Sequence, residues 1–438
     1  MISATFVIPT WHYWLNPYKL QPLWELYYAE QIRHAFPENE VAVRMQDLRG
    51  FRGKDFQEIV TDIPEQDVYF YWIMKSGDSV EVKSIADLLK KKYPNSKHVA
   101  GGTHVDMCID ECKNQFDAIM VGPGEQSLKQ IINDLKANNL KNVYQMSYSQ
   151  VPFTDTPFAR RDTLLPRDAV VNNVLFEQYG GVPGTSIYFS RGCVYSCSYC
   201  VYNVPATIQV RSREMIRNEL EYLKKTYQIG AVNLRDEVAI HPNKKVSQII
   251  YEELGAANLI WRGQTTVQAG WDELKLARES GCQELSIGVE TVDDKVMEII
   301  NKRQSEKQIR DFIENAKKLG IKIKMCLIFG LPGEPMDIVD RTIKFISETN
   351  PDFVSLSGFC PIPGSPIFKN SDFYGIKSID RDWSKHAHLL YRFSNEEEVG
   401  LPFEYKPETQ WGKSFSRKEI MTNIQTTQRW LESREMTY

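Results

Sequence analysis

This sequence predicts an α/β protein built from two successive strand–helix series. A doubly wound parallel sheet is expected over residues 1–145, a linker over 146–184, a partial six-stranded β/α barrel over 185–380, and a small mixed segment over 381–438. Three observations predict this. Short apolar runs alternate with helical spacings in both long stretches. The pattern fades from about Met146 to Pro183, where VPFTDTPFARRD is rich in proline and charge. The second series holds six β-α repeats, too few for the usual eight-stranded closed barrel.

In the first series, Thr5–Ile8 is an apolar run that stops at Pro9, and Pro22 to Phe36 reads as a helix with Pro37 as its stop. Val41–Val43 is a second short strand. Val68–Met74 (VYFYWIM) is a continuous apolar run, as a strand covered on both faces requires. Val80, Val82, Ile85, Leu88 and Leu89 have helical spacing up to Lys92. Val99-Ala100 runs into Gly101-Gly102, Phe116–Val121 runs into Gly122-Pro123-Gly124, and a further helix starts near Glu125. In doubly wound sheets ligands sit outside the carboxyl ends of the strands, where these two glycine turns fall.

The second series has strand candidates at Ile187–Phe189, Ala231–Leu234, Leu259–Trp261, Glu284–Val289, Ile323–Phe329 and Phe353–Ser357. Helices are expected near Glu214–Lys225, Lys245–Leu254, Glu273–Glu279, Asp294–Ile300, Glu306–Leu319 and Asp337–Glu348, with Ser305 and Gln308 as a capping-box pair. A last helix is expected from about Ser416 to Ser433. The aromatic residues Trp383, Tyr391, Phe393, Phe403, Tyr405 and Trp411 either line a pocket or pack.

Composition bounds the function. Net charge is -4 and the pI is near 6.1, so nothing electrostatic points to nucleic acid, whose binders carry a basic face. The N-terminus, MISATFVIPTWHYW, lacks a signal-peptide pattern, and no stretch approaches the roughly 18 consecutive apolar residues of a membrane span. A cytoplasmic protein is expected. Eight cysteines are too few for a disulfide scaffold of this length, and three of them cluster.

That cluster is Cys193, Cys197 and Cys200, spaced C-x3-C-x2-C directly after the first strand of the second series. Thiolates in one tight loop suit an iron–sulfur cubane. Three ligands leave one iron open to a substrate, whereas a structural zinc site closes with four. Cys282, Cys326 and Cys360 read as core packing. Cys108 and Cys112, four apart, would share a helix face as a metal or redox pair or as two ordinary buried residues. His386 and His388, alternate residues in a charged segment, are expected on the surface.

The spacing, with Tyr199 just before the third cysteine, resembles the radical S-adenosylmethionine superfamily from about Ser186 to Phe368. The resemblance implies a partial (β/α)6 barrel and a [4Fe-4S] cluster on Cys193, Cys197 and Cys200. It also implies bound S-adenosylmethionine, whose reductive cleavage yields a 5'-deoxyadenosyl radical. Tyr199 would stack near the adenine. Asp236-Glu237 resembles the acidic pair that receives the methionine ammonium; the family often has two aspartates there, so which carboxylate makes the contact is open. Gly288 and Glu290, in IGVET, resemble the segment near the ribose. Ile328 and Gly330, in IFGLPGE, resemble the one that passes the adenine. Gly263-Gln264-Thr265-Thr266 holds a threonine where relatives often carry arginine, and no role is assigned to it.

Gly101, Gly102 and Thr103, followed by His104, and Gly122, Gly124 and Glu125 resemble the cobalamin-binding, Rossmann-like domain that precedes the barrel in one large subfamily. Leu20 to Leu26 resembles its first loop and helix. No D-x-H-x-x-G stretch supplies a cobalt ligand, and His104 is expected in a loop. The resemblance implies a cobalamin-dependent enzyme that methylates an unactivated carbon. The alternatives are a radical cyclase or rearrangement enzyme without methyl transfer, or a domain that no longer binds cobalamin. Expected partners are a small-molecule or peptide substrate and an electron donor such as flavodoxin or ferredoxin. Catalytic acid–base residues are not readable.

Overall fold

A computed structural model describes residues 1–11, 16–19, 21–51, 55–171, 174–202, 204–386 and 401–437. Two compact units divide the chain: Met1–Gly181 with Lys225–Tyr227, and Val182–Lys224 with Gln228–Tyr438.

The first unit runs β1 (Ile2–Ile8), α1 (Leu23–Ala35), β2 (Val41–Asp47), α2 (Phe56–Thr61), β3 (Val68–Trp72), α3 (Ser76–Lys92), β4 (Lys97–Gly101), α4 (Thr103–Met107), α5 (Ile109–Gln115), β5 (Ala118–Val121), α6 (Gly124–Lys136), β6 (Val143–Gln145) and α7 (Arg167–Val170). Its sheet is parallel throughout, in the order β2-β1-β3-β4-β5-β6. The order reverses between β1 and β3, which puts a crevice at their carboxyl ends. Every residue of β3 is buried, as its unbroken apolar run requires. Phe6 of β1 stacks on Phe70 of β3, with ring centroids 5.0 Å apart.

The second unit begins with β7 (Gly184–Ile187) and a small antiparallel pair, β8 (Ser190–Arg191) with β9 (Gln209–Val210). It continues through α8 (Arg213–Tyr227), β10 (Ala231–Leu234), α9 (Lys244–Ala256), β11 (Ile260–Thr265), α10 (Trp271–Glu279), β12 (Cys282–Glu290), α11 (Asp294–Ile299), α12 (Glu306–Lys318), β13 (Lys322–Phe329), α13 (Ile338–Thr349), β14 (Phe353–Gly358) and α14 (Pro366–Lys369). A six-stranded parallel sheet results, in the order β14-β13-β12-β11-β10-β7, and no pairing closes β14 onto β7 among the described residues. It is the partial barrel that six repeats predict. The mixed end holds β15 (Ile376–Ile379) paired with β16 (Phe403–Tyr405), the β17 (Glu408–Thr409)–β18 (Gly412–Lys413) hairpin, and α15 (Arg417–Glu432), which packs on β13 and β14. A capping box of Ser416 and Glu419 starts α15.

The barrel strands alternate strictly. One face is apolar and buried against helices: Leu285, Ile287 and Val289 of β12, and Ile323, Met325 and Leu327 of β13. The other, inner face is polar or small: Asn233 on β10, Arg262 and Gln264 on β11, Glu284 and Ser286 on β12, Lys324 and Cys326 on β13, Ser355 and Ser357 on β14. Period-2 patterning gives the apolar face its core. The inner face is a lined lumen.

Several expectations need correction. Cys108 and Cys112 do not share a helix, because Cys108 sits at the break between α4 and α5 with φ -125°. His104 lies in α4, buried, with Nδ1 3.0 Å from Ser76 Oγ. Cys326 is half-buried on the inner face, although Cys282 and Cys360 are core residues. His386 is buried; its ring packs edge-on to Trp383 and its Nε2 lies 2.6 Å from the Asp380 carbonyl oxygen. Aromatic packing thus outweighs the charged neighbourhood. Ser305 Oγ accepts from Gln308 N at 3.3 Å, but Gln308 Oε1 accepts from the Ser305 hydroxyl and not from its amide. Phe403 and Tyr405 are packing residues; His388, Tyr391 and Phe393 lie outside the described residues.

Candidate active site

The cysteine loop leaves β8 through Gly192, whose φ is +93°. A Cβ there would stand 2.2 Å from the Thr207 carbonyl oxygen and 2.5 Å from that of Pro205, so only glycine fits. Cys193 N donates to Pro205 O at 3.2 Å, and Cys200 N to Cys197 O at 3.1 Å. Neighbouring elements pin the middle of the loop. Ser198 N donates to Ile300 O at 2.8 Å, Ile367 N to Ser198 O at 3.0 Å, and Asn301 Nδ2 to Ser196 O at 2.7 Å.

The three thiols are half-buried. Burial is the main cause that pushes each of them up, Cys200 to about 12; Cys197 raises both of the others, and the Lys302 ammonium opposes the rise at all three. Tyr202 N donates to Cys200 Sγ at 3.3 Å. These are the conditions of a site that wants a metal: thiolates are favoured here only when a cation takes their charge. Among the described residues no group of three or more His, Cys, Asp and Glu side chains forms a cage for a single ion. A cubane does not require one, since each thiolate binds a different iron.

The two acids after β10 have different surroundings. Asp236 is fully buried, and its Oδ1 accepts from Phe189 N at 2.9 Å and Ser190 N at 2.6 Å, so it ties β10 to the start of the cysteine loop. Glu237 is half-exposed and feels Cys193; its Oε2 has no partner among the described residues. Burial of the carboxyl, with Asp236 beside it, pushes Glu237 up to about 8. A cation arriving at that oxygen would reverse both effects.

At the end of β12 a register shift between Gly288 and Glu290 re-aims the chain, and Glu290 takes φ +66°. A non-glycine residue there costs about 1–3 kcal/mol, a strain that persists where the surroundings over-determine it. Glu290 Oε1 accepts from Tyr199 OH at 2.9 Å and from Lys302 Nζ at 3.1 Å, and Lys302 also donates to Tyr199 OH at 3.3 Å. A side chain on Gly288 would displace this pair, because its Cβ would lie 2.5 Å from Glu290 Oε1 and 3.0 Å from Lys302 Nζ. Ile328 is half-buried on the inner face of β13. Gly330 N donates to Glu334 Oε2 at 2.9 Å, and Tyr405 OH to Gly330 O at 2.9 Å.

Residues 187–346, which hold the cysteine loop and these strand ends, match the radical SAM superfamily. The second unit therefore carries a radical SAM domain. Over 406 residues the chain is 24% identical to an uncharacterized methyltransferase of Pyrococcus horikoshii, covering 86% of this chain and 84% of that one. It is 22% identical to the bacteriochlorophyllide d C-8(2)-methyltransferase of Chlorobaculum tepidum, over 78% of this chain and 77% of the other. The structure of the radical S-adenosylmethionine methyltransferase TsrM from Kitasatospora setae, with cobalamin and a [4Fe-4S] cluster bound, is similar to it with a TM-score of 0.65. That likeness covers 91% of this chain and 84% of the other at 15% identity, and it is one of fold.

The radical SAM domain therefore brings Cys193, Cys197, Cys200, Tyr199, Glu237 and Glu290 to one end of its barrel and uses Asp236 as a strut. One residue there, Lys302, was not singled out from the sequence. Lys302 follows Asn301, a left-handed residue at φ +52° just past α11, a position that favours asparagine. Nothing in the spacing ties this lysine to Glu290; the signal is the helix-ending asparagine alone.

In the N-terminal unit, Gly101, Gly102, Thr103, Gly122, Gly124 and Glu125 gather at the carboxyl ends of β4 and β5 and the start of α6. The chain itself fills the space beside the glycines: Trp72 and Met120 at Gly101, the Ile73 backbone at Gly102, the Met146 carbonyl at Gly122 and the Tyr28 ring at Gly124. Their amides are engaged as well. Gly122 N donates to Asp106 Oδ1 at 2.8 Å and Gly124 N to Tyr28 OH at 3.3 Å, while Glu125 Oε1 accepts from Tyr27 OH at 2.9 Å. Thr103 Oγ1 lies 3.8 Å from Met74 Sδ. Leu20 of the first-loop resemblance lies outside the described residues.

Proposed function

We propose that this chain is a cobalamin-dependent radical adenosylmethionine enzyme that methylates an unactivated carbon. The observation that carries the reading is three thiols beside an unpartnered buried carboxylate oxygen, with a buried ammonium at the same end of the barrel. Cys193, Cys197 and Cys200 hold a [4Fe-4S] cluster through three irons, and Glu237 receives the ammonium of S-adenosylmethionine. Asp236 fixes the loop. Glu290, held by Lys302 and Tyr199, offers its remaining acceptor capacity to the ribose hydroxyls. Ile328 supplies an apolar contact near the adenine, and Gly330, at φ +89°, makes the fifth-strand turn against Ile420.

When bound, the cluster and adenosylmethionine supply a 5'-deoxyadenosyl radical, and cobalamin supplies the methyl group. The protein's share is to orient, to exclude water and to balance charge. In the N-terminal unit the switch point between β1 and β3 is where a doubly wound sheet takes a ligand. The glycines at β4 and β5 serve the unit's own packing, and His104 is engaged by Ser76. A cobalt without a histidine ligand is consistent with that donor set. The named relatives and the TsrM fold support the methyl-transfer reading. A reductant such as flavodoxin or ferredoxin, and a cytoplasmic setting, belong to the same reading; no described helix is long and apolar enough to cross a membrane.

Anaerobic reconstitution with iron, sulfide and hydroxocobalamin tests it. The protein should retain a cobalamin spectrum through gel filtration and, once reduced, move the deuterated methyl of labelled adenosylmethionine into product. A protein that makes 5'-deoxyadenosine but neither retains cobalamin nor transfers the label is a radical cyclase or rearrangement enzyme instead.

A further inference from the structure

The inner face of the barrel is largely polar, with Phe353 and Ile328 as apolar members, although the sheet needs only one apolar face to fold. At its floor Arg262 and Glu284, on neighbouring strands, form a buried ion pair at 2.7 Å, and buried Lys324 lies in register with Ser286, one step further along. Above them Gln264 is exposed and lies in register with half-buried Ser286. Ser355 pairs in register with half-buried Cys326, and Ser357 with Ile328. An ordinary parallel barrel fills this volume with branched aliphatic side chains. Here Ile328 is the aliphatic side chain above the floor, and the proposed function already gives it to the adenine.

Such a wall selects its occupant. Covering a polar group without giving it a partner costs about tenfold in affinity or more. A flat apolar molecule laid over Gln264, Ser286 and Ser357 would meet that penalty about three times over. A molecule with its own hydroxyl or amide groups would meet none of it.

We propose that the substrate is a small hydrophilic molecule carrying hydroxyl or amide groups, hydrogen-bonded within the barrel lumen by Gln264 and Ser286. This rests on the radical reading above and names its substrate class. It sets this chain apart from a relative named for bacteriochlorophyllide, a large macrocycle.

The test uses the full chain with its cluster reconstituted. The probes are the water-soluble fraction below about 1 kDa and the chloroform-soluble fraction of one extract of the source cells. Melting temperature is measured with each fraction before reduction, and methyl-deuterated adenosylmethionine is traced after it. The water-soluble fraction should raise the melting temperature and receive the label. Ser286→Thr keeps the hydroxyl and should keep both effects. Ser286→Val has the same shape without the hydroxyl and should lose about tenfold in label transfer, with cluster absorbance unchanged in both variants. A shift or label confined to the chloroform fraction or to macromolecules overturns the proposal. So does a shift with neither fraction, or equal behaviour of the two variants. Absence of 5'-deoxyadenosine from every mixture would instead strike the radical reading, while the melting shifts would still report the substrate class.

Discussion

Lys302→Met takes a buried ammonium away from the carboxylate and hydroxyl it holds. The Lys302 and Glu290 side chains are 9% and 11% exposed, and their contact is 3.1 Å. Burial works against the Lys302 charge, but the Glu290 carboxylate and the Cys197 thiol outweigh it and hold the lysine above its ordinary value. Removing one member of such a pair strands the other, which costs about 3–5 kcal/mol. An exposed pair would cost less than about 1 kcal/mol. Urea unfolding of the cluster-free chain, followed by circular dichroism under anaerobic conditions, measures the difference. Glu290→Gln alone strands the lysine and should also destabilise. The double variant should be more stable than the sum of the two losses, with a coupling of about 1–3 kcal/mol. A loss below about 1 kcal/mol for Lys302→Met, or strict additivity with Glu290→Gln, would refute the claim that the two charges support each other beside the thiols.

Four further outcomes follow from the same geometry. Glu237→Gln should weaken adenosylmethionine binding about tenfold or more, read by equilibrium dialysis, because a charge-assisted contact is lost; Asp236→Asn should instead lower the melting temperature, because its Oδ1 holds two backbone amides. Gly192→Ala should abolish cluster uptake, measured as bound iron, since its Cβ would meet two carbonyl oxygens. Glu334 is buried and pushed up by burial from 4.5 to about 8, so the folded state holds its proton. Its contribution to stability is complete below pH 4.5 and drains by about 1.4 kcal/mol per pH unit as pH climbs toward 8. Glu334→Gln should flatten that slope in urea titrations between pH 5 and 8; an unchanged slope would contradict the burial argument.

Much of this was legible because strands and thiolates write local patterns. The apolar positions of KIKMCLIF and CQELSIGVE alternate with period 2, so both strands could be placed to within a residue or two. C-x3-C-x2-C fixes three sulfurs in one loop whatever surrounds it. What the sequence hid depends on contacts between distant segments. Asp236 and Glu237 are adjacent, but only the folded chain shows one bound to backbone amides and the other left open. Lys302 reaches Tyr199 across 103 residues. His386 looks solvent-bound among charges until Trp383 and Cys360 enclose it. The polar inner face was visible letter by letter, yet its meaning needed the register that sets Gln264 beside Ser286.

The central claim is that three sulfurs hold a cubane with one iron open to adenosylmethionine. Electron paramagnetic resonance of the reduced, reconstituted chain addresses it most directly. The account predicts about four irons per chain, a signal that changes when adenosylmethionine is added, and loss of both in Cys200→Ala. A signal indifferent to adenosylmethionine, or iron retained in full without Cys200, would contradict it.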